Sequence, residues 1–135
     1  MFKAALMSGW HVHAEGYAEE FNRIPGCRVA AVWDEDPARG ALLADRLGCP
    51  FYDTAEAALS APGVTAGILN SPTTAHLPLI ELMAGLGKHI FTEKVLAATH
   101  QEALRAREAV ERAGVIFAIS FPHLGNPGVK AAKAI

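Results

Sequence analysis

An α/β domain built on a doubly wound, mostly parallel sheet is the fold class this sequence predicts, and three observations carry it. Short apolar runs of strand length alternate along the chain with segments of helical period. The runs are nearly continuous in apolar residues, as in RVAAVW at 28–33, which suits strands buried on both faces. The connections are short, so successive strand–helix–strand units must lie side by side with parallel pairing.

The elements follow in order. KAALM at 3–7 is a strand stopped by Ser8-Gly9, and Ala14, Tyr17, Ala18 and Phe21 then share one helical face up to Pro25-Gly26. After the strand at 28–33, Asp36 and Pro37 read as N-cap and first helical residue. That helix carries Leu42, Leu43 and Leu47 and ends at Gly48, where a left-handed C-cap is wanted. A weaker strand at Phe51-Tyr52 and a short helix over 55–59 come next. VTAGIL at 64–69 is a strand, and Thr73 or Thr74 is expected to cap the following helix. Its inward face is Leu77, Ile80, Met83 and Ala84, and Pro78 is tolerated in its first turn. HIFT at 89–92 is a strand. Thr99 and Glu102 form a capping box for a helix with Ala103, Ala106, Val110 and Ala113 at helical spacing, closed by Gly114. VIFAI at 115–119 is the last of six strands, a number that predicts the sheet order 3-2-1-4-5-6.

Composition narrows the function classes. A chain of 135 residues is sized for one domain, and 51% hydrophobic residues with 19% charged ones exclude a wholly disordered protein. A net charge of −2 offers no basic face, so no nucleic-acid partner is expected. No apolar run nears the ~18 residues of a membrane helix, and the first nine residues lack the pattern of a signal peptide. Cys27 and Cys49 have no CxxC spacing and read as packing thiols. A cytoplasmic domain without membrane contact is the expectation. It should occupy residues 1–120. Residues 121–128 are rich in turn formers and 129–135 begin a helix, so 121–135 are expected to open a second, truncated domain.

In a doubly wound sheet, ligands bind beyond the carboxyl ends of the strands. Those positions hold Ser8 to His13, Trp33-Asp34, Asn70 to Thr73 and Glu93 to Val95. The first is a strand-to-helix turn, whose free amides suit a phosphate, although Gly9 is its only glycine and the GxGxxG fingerprint is absent. Asp34 ends the second strand 25 residues after Gly9, near the ~20 expected of the acid that bonds a ribose 2′-hydroxyl. A carboxylate there repels a 2′-phosphate, so NAD is expected in preference to NADP. Arg39 lies within one helical turn of that site.

Two later stretches carry a resemblance. Asn70-Ser71-Pro72-Thr73-Thr74-Ala75-His76, then Gly87-Lys88-His89-Ile90-Phe91-Thr92-Glu93-Lys94-Val95-Leu96-Ala97, resemble the Gfo/Idh/MocA oxidoreductases, relatives of glucose–fructose oxidoreductase and inositol dehydrogenase. That family has a Thr/Ser-Pro loop with a downstream histidine, then GKHV and a Glu-Lys-Pro motif. The resemblance implies a Rossmann domain binding NAD(P) and hydride transfer on a sugar, polyol or similar substrate. It implies that Gly9, Trp10, His11 and Val12 pass the pyrophosphate and Asp34 holds the adenosine ribose. Asn70, Ser71 and Pro72 would line the cofactor with His76 behind them, and Glu93 would approach the nicotinamide ribose. Lys94, also a cofactor-binding residue, would sit between the nicotinamide and the substrate as the catalytic group, relaying the proton of the reacting hydroxyl, its pKa lowered by partial burial and the cofactor cation. Val95 replaces the family's proline. Such enzymes are two to three times longer, with the substrate pocket in a second domain, and the full-length form would be a homo-oligomer.

The residues bear on two other classes. His11-Val12-His13 matches the HxH of metal-dependent hydrolases, but that site needs further ligands at later strand ends of a barrel, which 135 residues cannot close. No metal is therefore expected. The odd first turn and the short length also suit a non-catalytic nucleotide-sensing or scaffold domain.

Overall fold

The computed structural model describes residues 1–121 and 126–133. Residues 122–125, in the turn-rich stretch, and 134–135, in the expected terminal helix, lie outside the described residues. The order is β1 (Phe2–Met7), α1 (Ala14–Arg23), β2 (Cys27–Trp33), α2 (Pro37–Leu47), α3 (Ala55–Leu59), β3 (Val64–Leu69), α4 (His76–Gly85), β4 (His89–Thr92), α5 (His100–Ala113), β5 (Phe117–Ile119) and α6 (Pro127–Ala132).

The strands form one parallel sheet ordered β2-β1-β3-β4-β5. Five strands stand where six were expected. The Phe51-Tyr52 strand is reduced to a single parallel bridge, Val32 to Phe51, outside β2. The Val32 N–H donates to Pro50 O at 3.0 Å and the Tyr52 N–H to Val32 O at 2.8 Å, but Pro50 has no N–H with which to carry the ladder back toward Ala30. Counted at its place, that bridge completes the expected 3-2-1-4-5-6 order.

Capping chemistry fixes the helices much as the sequence implies. The Asp36 carboxylate accepts the Ala38 and Arg39 N–H groups, and Gly48 closes α2 at φ 63°. Both halves of the Thr99–Glu102 box are present at α5. At α4, neither threonine is the cap. Residues Thr73–Ala75 make a 3₁₀ turn closed by the Ala75 N–H on the Pro72 carbonyl at 2.8 Å, and the α-helix starts only at His76. The last strand starts at Phe117 rather than Val115, because the Ile116 N–H goes to His89 Nδ1 at 3.1 Å.

Two apolar layers sandwich the sheet. On one face Met7, Leu59, Leu69, Ile80 and Met83 pack under α3, α4 and α5. On the other, Leu6, Val29, Val32, Leu43 and Ile68 pack under α1 and α2. Leu42 points to solvent instead of inward. Beyond α1 that second face is open, leaving an apolar groove of about 350 Å³ along Phe2, Phe21, Phe91 and Ile116.

Candidate functional site

The carboxyl ends of β1, β2, β3 and β4 converge at one crevice, and the turns leaving them supply every candidate side chain. The β1–α1 turn is built on Ser8, whose φ of 76° is the one positive value outside glycine among the described residues. Its amides are largely engaged within the protein. Ser8 donates to Trp33 O, Gly9 to Asp34 Oδ2 at 2.7 Å, Trp10 to Ser8 Oγ, His11 to Asn70 O at 3.0 Å and His13 to His11 Nδ1. This internal bonding replaces the open nest that a glycine fingerprint provides for a pyrophosphate. Trp10 and Val12 point to solvent.

Gly9 sits close to its neighbours. A Cβ there would stand 2.9 Å from Leu43 Cδ2 and 3.3 Å from Asp34 Oδ2. Asp34, buried at the end of β2, accepts the Gly9 N–H, the Asp36 N–H at 2.8 Å and a two-pronged contact from the Arg39 guanidinium, with Nε at 2.9 Å. Arg39 also reaches Glu35 at 2.8 Å. The Asp34 hydrogen bond, with the neighbouring carboxylates, holds the guanidinium pKa above its usual value. Asp34 thus stands at the end of β2 where the sequence puts it, and the sequence misses how fully Arg39 occupies it. Beside it, Gly9, His11, Arg39, Leu43 and Arg46 line a cavity of about 430 Å³.

At the β3 end, Asn70 and Ser71 are buried, and His76 lies behind them as expected. The His76 ring bridges two carbonyls, with Nε2 3.0 Å from Ser71 O and Nδ1 3.2 Å from Leu96 O. It ties the Ser-Pro loop to the segment after β4. Asn70 Oδ1 is buried without a partner among the described residues.

The β4 end departs most from expectation. Glu93 turns under the first turn instead of lying open toward a ribose. Its Oε2 stands 3.0 Å from His13 Nδ1, 3.9 Å from His11 Nδ1 and 2.5 Å from the Tyr17 hydroxyl, while Oε1 accepts the Lys94 N–H at 2.9 Å. Tyr17 also meets Ser120 Oγ at 2.7 Å. Burial pushes the Glu93 carboxyl up, but Tyr17, His13 and the Lys94 N–H outweigh it and hold it below the usual carboxylate value. Burial pushes His11 down despite Glu93, and burial together with Glu93 pushes the Tyr17 phenol up. Tyr17 and Ser120 belong to the site and were not singled out from the sequence. The signal was there: Tyr17 sits one helical turn after His13, on the same face. Lys94 is exposed at the mouth of the crevice, not part-buried, and its bond to Val95 is cis.

A dinucleotide fits the ends of this crevice better than its middle. The acid at β2, the orphaned Asn70 oxygen and the open Lys94 suit one, whereas the turn between them offers few free amides. No helix among the described residues is long and apolar enough to cross a membrane.

The model of an oxidoreductase family with an NAD-binding Rossmann fold matches residues 5–121. The chain is 32% identical over 111 residues to the scyllo-inositol 2-dehydrogenase (NAD(+)) of Bacillus subtilis, covering 82% of this chain and 32% of that protein. It is 31% identical over 100 residues to the D-xylose 1-dehydrogenase (NADP(+)) 2 of Haloferax volcanii, covering 73% of this chain and 31% of the relative. GenD2 from gentamicin A biosynthesis, solved with NAD, superposes with a TM-score of 0.88 at 24% identity over 98% of this chain and 38% of its own. The UDP-N-acetylglucosamine 3-dehydrogenase GnnA from Acidithiobacillus ferrooxidans superposes at 0.85 and 22% identity, over 98% of this chain and 42% of its own. The chain spans about a third of the length of the curated relatives it matches. On the strength of that match over most of its length, the chain belongs to the Gfo/Idh/MocA oxidoreductase family, whose fold is the NAD-binding Rossmann fold.

Proposed function

We propose that this chain is the cofactor-binding part of an oxidoreductase that interconverts a hydroxyl and a carbonyl on a sugar, polyol or similar small substrate. The observation that carries the reading is the pairing of Asp34 with Gly9 across the head of the crevice, with Lys94 open at the end of β4. Residues 1–120 make up the domain, and 121–135 open a second one that completes the substrate pocket. The named relatives act on inositol and xylose, which supports this substrate class.

A nicotinamide dinucleotide supplies the ring that accepts or gives the hydride. The chain supplies position and proton handling. Asp34 would hold the adenosine ribose, with Glu35 beside it adding a second carboxylate against a 2′-phosphate. Gly9, Trp10, His11 and Val12 would border the diphosphate, and Asn70, Ser71 and Pro72 the far half. His76 fixes that loop from behind. Lys94 would stand at the reacting oxygen, its neutral amine taking the hydroxyl proton in oxidation and its ammonium returning that proton to the oxygen in reduction.

The engaged amides of the first turn favour one second reading, a nucleotide-sensing or scaffold domain without turnover. The hydrolase reading loses its frame, since the sheet is open and not a barrel.

Calorimetric titration tests the cofactor assignment. NAD(H) is expected to bind more tightly than NADP(H), and Asp34→Asn to weaken NAD(H). Tighter binding of NADP(H), or no binding of either, would overturn it.

A further inference from the structure

The His11, His13 and Glu93 side chains meet at the junction of the first turn and β4, and nothing in the cofactor reading uses them together. One ligand atom from each lies within 4.8 Å of the others. Two ligands on a small divalent ion with bonds near 2.1 Å stand about 3.4 Å apart in a tetrahedral arrangement. The observed N···O separations, 3.0 and 3.9 Å, straddle that figure.

The surroundings are those of a metal carboxylate. Glu93 is 1% exposed, and its only ion-pair partners among the described residues are the two imidazoles. A buried carboxylate needs a compensating cation or dense hydrogen bonding. Tyr17 and the Lys94 N–H bond its two oxygens and fix its orientation, as outer-shell partners do for metal ligands. His11 is held by its own turn, whereas the His13 side chain is half exposed and leaves the cluster open on one side. The His13 N–H on His11 Nδ1, at 3.2 Å, is the one contact that coordination through that nitrogen displaces.

We propose that His11, His13 and Glu93 form a binding site for one divalent transition-metal ion of the zinc type, with an open coordination position on the His13 side. Two imidazoles and one carboxylate are a donor set that such ions favour over calcium or magnesium. The proposal replaces the sequence-based expectation of a metal-free turn, where only two of the three ligands were in view. His11 also borders the proposed diphosphate path, so the site is tested with no dinucleotide present.

The test is titration of chelator-treated chain with cobalt(II), followed by visible absorption and calorimetry, with no dinucleotide present. One equivalent should bind, giving visible bands without thiolate charge transfer, which sets the site apart from Cys27 and Cys49. Glu93→Gln and His13→Asn should each weaken binding by more than the ~10–100-fold typical of outer-shell changes. His100→Asn, an exposed histidine elsewhere, should leave it unchanged. Far-ultraviolet circular dichroism checks that each variant folds, and His13→Asn, at a half-exposed position, carries the test should Glu93→Gln not fold. Absence of stoichiometric cobalt, thiolate bands, or binding that survives both substitutions would overturn the proposal.

Discussion

The Oε2 atom of Glu93 lies 3.0 Å from Nδ1 of His13, joining β4 to the first turn across 80 residues of sequence. The contact locks the crevice floor. Through Tyr17 it extends to Ser120 at the end of β5, so two strand ends are bonded to one helix start. Removing the carboxylate therefore alters the turn, the helix and the last strand together.

Acid should expose that coupling. The folded Glu93 carboxyl titrates below its ordinary value of 4.5, so its stabilisation is complete above that value and is lost as pH falls through the folded one. In metal-free protein, the melting temperature of the wild type should fall more steeply below about pH 4.5 than that of Glu93→Gln. The gap between them should narrow with acid. A gap that stays constant in calorimetric scans would mean the carboxylate charge contributes nothing.

Asp34 should matter to the fold before it matters to any ligand. Asp34→Ala strands the Gly9 and Asp36 amides and unpairs Arg39. Breaking a wholly buried ion pair costs roughly 3–5 kcal/mol. The Arg39 side chain is 34% exposed, so solvent screening brings the expected loss nearer 2–3 kcal/mol. Urea unfolding without cofactor measures it, and a loss below about 0.5 kcal/mol would show that the pair is surface ornament.

Most of the fold was legible because its signals are local. Asp36-Pro37, Gly48 and the Thr99–Glu102 box set helix limits through bonds within a few residues. The errors sit where a distant or chain-specific constraint wins, as at Pro50, which ends a ladder, and at Pro72, which starts a 3₁₀ turn in place of a threonine cap. In the site, positions were legible and orientations were not. Asp34, Ser71, His76 and Glu93 all stand at the expected strand ends. That Glu93 turns toward His11 and His13 depends on a tertiary contact 80 residues apart that no periodicity encodes, while Arg39, noted one helical turn from Asp34, closes on it more fully than spacing alone shows.

Two glycines should respond in opposite directions. Gly9→Ala sets a Cβ 2.9 Å from the Leu43 Cδ2 methyl, which can rotate away, and 3.3 Å from the fixed Asp34 Oδ2, so a loss at the low end of the overpacking range, about 1 kcal/mol, is expected. Gly16, on the exposed face of α1, has nothing within 4 Å of a built Cβ. Gly16→Ala should add about 0.5–1 kcal/mol through helix propensity. Both are read from denaturation midpoints without ligand. A neutral Gly9→Ala would reopen the view that this glycine serves a phosphate.

Turnover by the 135-residue chain tests the division of labour between this domain and the proposed second one. Reaction needs the substrate held about 3–3.5 Å from the nicotinamide, and that proximity needs a wall opposite Lys94. Lys94 is exposed among the described residues, with Val95 and Trp10 also open to solvent near the crevice mouth. A substrate arriving there meets water on that side, so orientation is not enforced and the ammonium has no fixed oxygen to serve. Polyols and sugars with NAD, followed at the reduced-nicotinamide absorbance, should therefore give no steady rate. Lys94→Ala should leave the melting temperature unchanged, since the side chain is solvated, and should weaken NAD only slightly, since it lies away from the adenosine end. Steady turnover abolished by Lys94→Ala would show instead that this chain closes its own substrate site, and the proposed second domain would then serve assembly and not chemistry.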